Sequence, residues 1–288
     1  MSTPPTTSRT GLSLVTVGLV QIYRTEGHDV AALSGVTLSV GAGEFVGLLG
    51  PSGSGKSTLL SLCSGLLRPS AGQLLVDGRN LALLTAPELD VLRATELGIL
   101  LQGASRNLVP YLSCAENVAF AQGAARRHGR DDATLPDPRE VLDLVGLPDA
   151  DRPLAGLPAG HLQLVAIAAA IAHAPGLVLA DEPTSQLDDA ARDVVLEALT
   201  RVNRELGTTV VVVTHDPEVA ARIPRTVTIR NGRIGAEGRS GEDFAVVTAD
   251  GSLPLPPDVL RTVPPGTLLR VVETPRGIEL VRVEEGEA

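Results

Sequence analysis

Gly50-Pro51-Ser52-Gly53-Ser54-Gly55-Lys56-Ser57-Thr58 follows the apolar run Phe45-Val46-Gly47-Leu48-Leu49 and leads into Leu59-Leu60. The order is strand, glycine loop, helix. Gly50, Gly55, Lys56 and Ser57 meet the pattern G-x-x-x-x-G-K-[ST], whose glycines let backbone N–H groups turn inward around phosphate oxygens. The helix behind the loop adds the positive end of its dipole. Lys56 can reach the β- and γ-phosphates of a nucleotide, and the Ser57 hydroxyl can ligate Mg²⁺. Lys56 is also the chain's only lysine; the rest of its 24 Lys and Arg residues are arginine. A chain that avoids lysine elsewhere and keeps one here points to chemistry that a guanidinium cannot replace.

Around this loop, short apolar strands alternate with helical stretches. Strand patterns fall at 12–23 and 32–40, with a turn at 27–29, then at 44–49, 72–77, 98–101, 177–180 and 209–213. Helices are predicted at 56–67, 86–96, 114–128, 138–145, 161–173, 190–206 and 217–222. Those at 86 and 114 open on the capping boxes Thr85-Ala86-Pro87-Glu88 and Ser113-Cys114-Ala115-Glu116. A hairpin at 225–238 turns on Asn231-Gly232. Helices between buried strands mean a mostly parallel sheet with crossover connections. The stretch 103–173 carries no clear strand and reads as a helical insert.

Bulk properties narrow the function. With 288 residues, one large domain plus a small one is expected. Hydrophobic residues make up 43% of the chain and aromatics 2%, so the core must be Ala, Val, Leu and Ile. A net charge of −10 argues against a general nucleic-acid surface. Cys63 and Cys114 offer neither a disulfide framework nor metal spacing, and the histidines are scattered. Residues 1–11, rich in Ser, Thr and Pro, lack an apolar core and read as a disordered tail rather than a signal peptide. The most apolar stretch, 162–180, is broken by His173 and Pro175, so it is a buried helix and strand rather than a membrane span. A cytoplasmic protein is expected. Arg126, Arg127, His128 and Arg130 read as a solvated helix end favoured by its dipole.

A second group of residues belongs with the loop. Leu177-Val178-Leu179-Ala180 runs into Asp181-Glu182. A carboxylate at the mouth of a buried strand, beside a phosphate loop, can hold Mg²⁺ through water, which suits Asp181. The next one, Glu182, can polarise an attacking water. His215 ends the valine strand and can hydrogen-bond the γ-phosphate or the water. Gln102 ends another strand, where it can sense Mg²⁺ and water. All are expected at one edge of one sheet, where ligands bind in such folds.

Over about 12–238 the sequence resembles an ATP-binding-cassette (ABC) ATPase, nearest the subfamily serving macrolide-export and lipoprotein-release transporters. The matching segments are the loop 50–58, Gln102 with Asn107-Leu108-Val109-Pro110-Tyr111-Leu112-Ser113 and Glu116-Asn117-Val118, then Asp181-Glu182-Pro183-Thr184, Ser185-Gln186-Leu187-Asp188 and Thr214-His215-Asp216. The resemblance implies an α/β fold: a P-loop NTPase core of the ABC ATPase type at 12–238, with its helical subdomain at about 103–173. It implies ATP and Mg²⁺ as ligands, with Gly50, Pro51, Ser52, Gly53, Ser54, Gly55, Lys56, Ser57 and Thr58 around the phosphates. Ser57, Gln102 and Asp181 then serve the metal, and Glu182, His215 and Gln102 serve catalysis. Tyr23 falls where the family stacks an aromatic on adenine; a core tyrosine is the alternative. Two such domains meeting head to tail are implied, as a homo- or heterodimer. So is a membrane permease on another chain, met near 102–118, which puts the protein at the inner face of the cell membrane.

One departure matters. The family's signature Leu-Ser-Gly-Gly-Gln is here Leu157-Pro158-Ala159-Gly160-His161, and Leu164 and Ala169 stand where the family has arginine. In the family this signature holds the γ-phosphate of the opposite subunit through its serine and backbone N–H groups. Pro158 has neither hydroxyl nor N–H, and Ala159 adds a Cβ where backbone must come close. A slow ATPase, or a catalytically weak ATP-binding partner in an asymmetric dimer, is therefore set beside the plain transporter ATPase.

Residues 239–288 are proline-rich and strand-like, with nine acidic and five basic residues. They read as a small β-rich domain. The segment resembles the swapped-hairpin barrel of transition-state regulators, a unit that dimerises; an unrelated β appendage is the alternative. Its acidity argues against DNA.

Overall fold

The computed structural model describes residues 11–239 apart from 26 and 27, together with 242–245 and, between 253 and 282, all but 254, 256, 265 and 276. The tail at 1–10 and the strand positions 246–248 expected from the sequence lie outside the described residues.

The chain opens with the hairpin β1 (Leu14–Thr25) and β2 (His28–Val40). His28 and Asp29, expected in the turn, pair instead with Thr25 and Arg24, so the turn is tighter. β3 (Phe45–Leu49) runs into the phosphate loop and α1 (Lys56–Cys63). α1 stops short of the expected 67, where Gly65 takes a left-handed φ of 67°. Next come β4 (Ala71–Val76), β5 (Arg79–Asn80), α2 (Ala86–Thr95) and β6 (Leu97–Leu100). The insert contributes α3 (Cys114–Arg127), α4 (Pro138–Leu144) and α5 (Ala159–Ile171). β7 (Leu177–Asp181), α6 (Asp189–Leu206), β8 (Thr209–Thr214) and α7 (Pro217–Ala221) return to the core. β9 (Arg225–Arg230), β10 (Arg233–Arg239) and β11 (Glu242–Ala245) then form a meander. Last come α8 (Pro257–Thr262) and the hairpin β12 (Leu269–Thr274) with β13 (Gly277–Arg282).

Three sheets result. The central one has the order β11-β10-β9-β3-β8-β7-β6, and β9 through β6 are parallel. β3, β8, β7 and β6 are therefore neighbours that all run the same way, and their C-terminal ends share one edge. A separate antiparallel sheet, β2-β1-β4-β5, lies beside it. β12 and β13 make a two-stranded sheet of their own. Strand by strand the sequence shows β1, β2 and β4; their segregation into a second sheet is set by long-range pairing, which local patterning does not carry.

The core is aliphatic, as the composition requires. The largest fully buried side chains are all leucines, and Val210 to Val213 of β8 are at most 1% exposed. One apolar cluster packs α3–α6 against the sheet, and the other packs α1, α2 and the antiparallel sheet on the opposite side. α3 and α2 start on complete capping boxes at Ser113 and Thr85. α6 starts on Asp188, whose carboxylate accepts from Ala191 N at 2.8 Å.

Candidate nucleotide site

The phosphate loop is held from three sides. Gly55 has φ 102°, and a Cβ there would run into the Ala32 carbonyl of β2. The Asn231-Gly232 turn of the β9–β10 hairpin props the loop from beneath: Gly232 N donates to Ser54 O at 3.1 Å, while Gly232 O accepts from Ser34 N at 2.9 Å. Lys56, 5% exposed, folds its ammonium back onto the carbonyls of Gly50 (2.7 Å) and Pro51 (2.9 Å). Burial pulls the Lys56 pKa down, and the fields of Glu182 and Asp181 pull against it. An anionic phosphate supplies what those carbonyls supply now, with a full charge added.

Ser57, at the start of α1, donates its hydroxyl to Asp181 Oδ1 at 3.1 Å. Burial raises the Asp181 pKa, the Ser57 hydrogen bond lowers it, Glu182 raises it and Lys56 lowers it. The donor set suits Mg²⁺: two hard oxygens, with phosphates and water left to complete the shell. Among the described residues no cluster of three His, Cys, Asp or Glu side chains is placed to hold a metal without such help.

The raised pKa carries a stability prediction. The folded chain holds the Asp181 proton more readily than the unfolded chain. Ionised Asp181 is therefore a cost to folding that appears as pH rises through its folded pKa. Asp181→Asn should raise the melting temperature of the nucleotide-free protein at neutral pH. The gain should fade toward acid pH, where the carboxyl is protonated anyway. Thermal melts of both proteins across pH check this.

Glu182 follows β7 at φ 48°, a left-handed value that costs a residue with a Cβ about 1 kcal/mol. Its N–H donates to Val213 O at 3.0 Å and its carbonyl accepts from Ser185 N at 3.1 Å, which hold it there. The strained backbone aims the carboxylate, 14% exposed, at His215 just past β8; His215 Nδ1 lies 2.7 Å away. Asp216 caps α7 by accepting from Glu218 N at 2.9 Å and takes Arg192 Nη1 of α6 at 2.7 Å.

Tyr23 places its hydroxyl 3.4 Å from Thr58 Oγ1 and is 39% exposed, which sets its ring beside the far end of the loop. Gln102 lies two residues past β6 and is exposed. Asn107 clamps the chain around it, accepting from Leu101 N (2.8 Å) and donating to the carbonyls of Leu101 (2.9 Å) and Gly103 (3.0 Å). So Lys56, Ser57, Asp181, Glu182 and His215 converge, Tyr23 flanks the loop, and Gln102 lies on its clamped turn just past β6, the strand that pairs with β7. In the sequence Asn107 and Asp216 fall within the family-like segments but carry no role of their own, and Arg192, on α6, gives no local signal.

The family model described as ABC transporter matches residues 33–185, which include the phosphate loop, Gln102 and Asp181-Glu182. The chain belongs to the ABC transporter ATP-binding family. This cassette is 44% identical over 226 residues to the lipoprotein-releasing system ATP-binding protein LolD of Bordetella pertussis, covering 78% of this chain and 96% of that one. It is 38% identical over 228 residues to the macrolide export ATP-binding/permease protein MacB of Rhodopirellula baltica, covering 77% of this chain and 32% of that much longer one. Among solved structures it resembles the dimeric bacterial ABC transporter cassette MJ0796 (TM-score 0.69, 33% identity, 78% of this chain and 98% of that one). It also resembles the post-hydrolysis dimer of the same cassette bound to ADP and Pi (TM-score 0.67, 32% identity). The chain is thus an ATP-binding cassette of the ATPase family.

The segment 157–161, which differs in sequence from the signature that the resemblance implies, opens α5. α5 begins on Pro158 at φ −57° and ψ 152°, with no side-chain cap. Gly160 is retained, and a Cβ there would sit 2.8 Å from the Ala191 Cβ of α6. Leu164 and Ala169 are 1% and 9% exposed, so both side chains are buried.

Proposed function

We propose that the chain is the ATP-hydrolysing subunit of a transporter whose membrane permease is a separate chain, and that its nucleotide site is completed by a second cassette. The observation that carries this reading is the pairing at one sheet edge of Ser57 with Asp181 (3.1 Å) and of Glu182 with His215 (2.7 Å), around the only lysine. Lys56 leaves the Gly50 and Pro51 carbonyls for the β- and γ-phosphates, and residues 50–58 wrap them. Ser57 and Asp181 hold Mg²⁺, which neutralises phosphate charge when bound. Glu182 accepts a proton from the attacking water. His215, tied to Glu182, keeps that carboxylate and the γ-phosphate in line. Gln102 senses Mg²⁺ and the water from its turn, and Tyr23 stacks on adenine.

Contact with a permease at the inner membrane face is supported by Tyr111 and Phe120, 86% and 66% exposed in a chain with five aromatics. No helix among the described residues is long and apolar enough to cross a membrane. The second reading, a slow or regulatory cassette, rests on Pro158-Ala159. A partner with an intact signature would make one fast site on this chain's own residues. The cargo is then a property of the permease. Residues 12–238 act as the cassette; against the boundary expected at 239, β11 (Glu242–Ala245) pairs with β10 and extends the central sheet, so the separate β-rich addition is the part that carries β12 and β13.

The test uses the chain's composition. Amine acylation can modify only Lys56 and the chain's N-terminus. ATP with Mg²⁺ should slow acylation of Lys56 by roughly tenfold or more at saturation, and the N-terminus should be unaffected. A Lys56 rate indifferent to nucleotide would contradict the proposed site.

A further inference from the structure

Arg192 stands one turn into α6, at the end where a cation opposes the helix dipole. Three carboxylates gather on it. Its Nη1 donates to Asp216 Oδ2 at 2.7 Å, and its Nη2 faces Glu218 Oε2 at 3.1 Å and donates to Asp189. Asp189 is a neighbour on α6, whereas Asp216 and Glu218 belong to the start of α7. Surface ion pairs add little to stability, so the effect of this group lies in what it holds together.

The pairing closes a ring. Glu182 leads through 183–187 to Asp188, the cap of α6, and His215 leads directly to Asp216, the cap of α7. The two segments leave the paired strands β7 and β8 and meet twice, at Glu182–His215 and at Arg192–Asp216, each at 2.7 Å. α6 is the firm side of the ring: Val195, Leu196, Ala198, Leu199 and Val202 are at most 4% exposed. α7 has five residues, too few to hold a helix alone. Asp216 divides its carboxylate, Oδ1 accepting from Glu218 N at 2.9 Å and Oδ2 from Arg192. The Arg222–Asp193 pair ties the far end of α7 to α6, which leaves Arg192 as the tie at the His215 end.

We propose that Arg192 is a positioning residue that braces His215 against Glu182 by way of Asp216. The inference rests on the proposed role of the Glu182–His215 pair. Arg192 acts by limiting how far the backbone at 215–216 swings away from β7.

The test reads His215 itself, in the full nucleotide-free chain carrying ¹⁵N-histidine, at about pH 8.5, where an ordinary imidazole is neutral. Long-range proton–nitrogen spectra show which ring nitrogen carries the proton, and His215→Gln assigns the signals. A carboxylate only accepts, so the bond to Glu182 holds the proton on Nδ1. Arg192→Met keeps the aliphatic stem and removes the charge. Asp216→Asn keeps the cap, since its amide oxygen still accepts from Glu218 N, and turns a donor toward Arg192. Both variants should move His215 from the Nδ1–H form to the tautomer mixture of an unrestrained ring. His173, with Nε2 3.1 Å from Leu97 O at the other end of the sheet, should not change. In chains that also carry Pro158→Ser and Ala159→Gly, either substitution should lower kcat roughly tenfold or more and leave ATP affinity within about twofold. The double variant should lose no more than Asp216→Asn alone, because both act through one contact. A His215 that keeps its Nδ1 proton in Asp216→Asn would overturn the proposal, as would a change shared equally by His173. A moved His215 with unchanged turnover upholds the brace and contradicts the catalytic role of the Glu182–His215 pair.

Discussion

Replacing Pro158 with Ser and Ala159 with Gly together should raise ATP turnover by the purified cassette roughly a hundredfold. One lost donor to a developing phosphate charge costs about 3 kcal/mol, which is two orders of magnitude in rate. Proline at 158 removes both a hydroxyl and an N–H from that role. The scaffold will accept the change. Pro158 sits at the N-cap of α5 in extended geometry, where Ser is a preferred residue and can bond the orphan N–H groups of the first turn. The helix already begins at residue 159, so the repair adds donors without moving backbone. Steady-state phosphate release from the two proteins checks it. Equal rates would mean that Pro158-Ala159 costs nothing.

In the repaired background, Glu182→Gln should lower turnover by roughly 10²- to 10⁴-fold, the span general-base catalysis covers, while ATP still binds. The background matters. In the unmodified chain a slow step elsewhere would compress the loss, because effects within one site are not additive. The amide keeps the shape of Glu182 and a hydrogen bond to His215 Nδ1, now 2.7 Å from the carboxylate, but cannot take a proton from water. Single-turnover hydrolysis with nucleotide binding measured in parallel separates the two effects. Turnover that survives the substitution would move the base to another residue.

Much of this was legible in the sequence because the elements carry their own local signals. The apolar run before Gly50, the capping boxes at Thr85 and Ser113, and Asn231-Gly232 each fix an element through nearest neighbours. The shared edge for Lys56, Asp181 and His215 followed from parallel strands ending in polar residues. What stayed hidden depends on contacts across the chain. The second sheet needs β1 between β2 and β4, and β4 lies far along the chain. The Asn107 clamp reaches back six residues, and the Arg192–Asp216 pair joins two helices. The left-handed backbone at Glu182 runs against the preference of its residue type, as strained functional positions do.

Mixing two chains that are each disabled differently shows whether the signature serves the opposite subunit. One is the unmodified chain, with its own Glu182 and the altered signature. The other carries Pro158→Ser, Ala159→Gly and Glu182→Gln. If the signature serves the opposite subunit's site, a mixed dimer holds one whole site: Lys56, Asp181, Glu182 and His215 from the first chain facing a repaired signature from the second. The mixture should hydrolyse ATP at least roughly tenfold faster than either protein alone. A mixture no faster than the average of its components, while Pro158→Ser with Ala159→Gly speeds a single chain, would contradict that role.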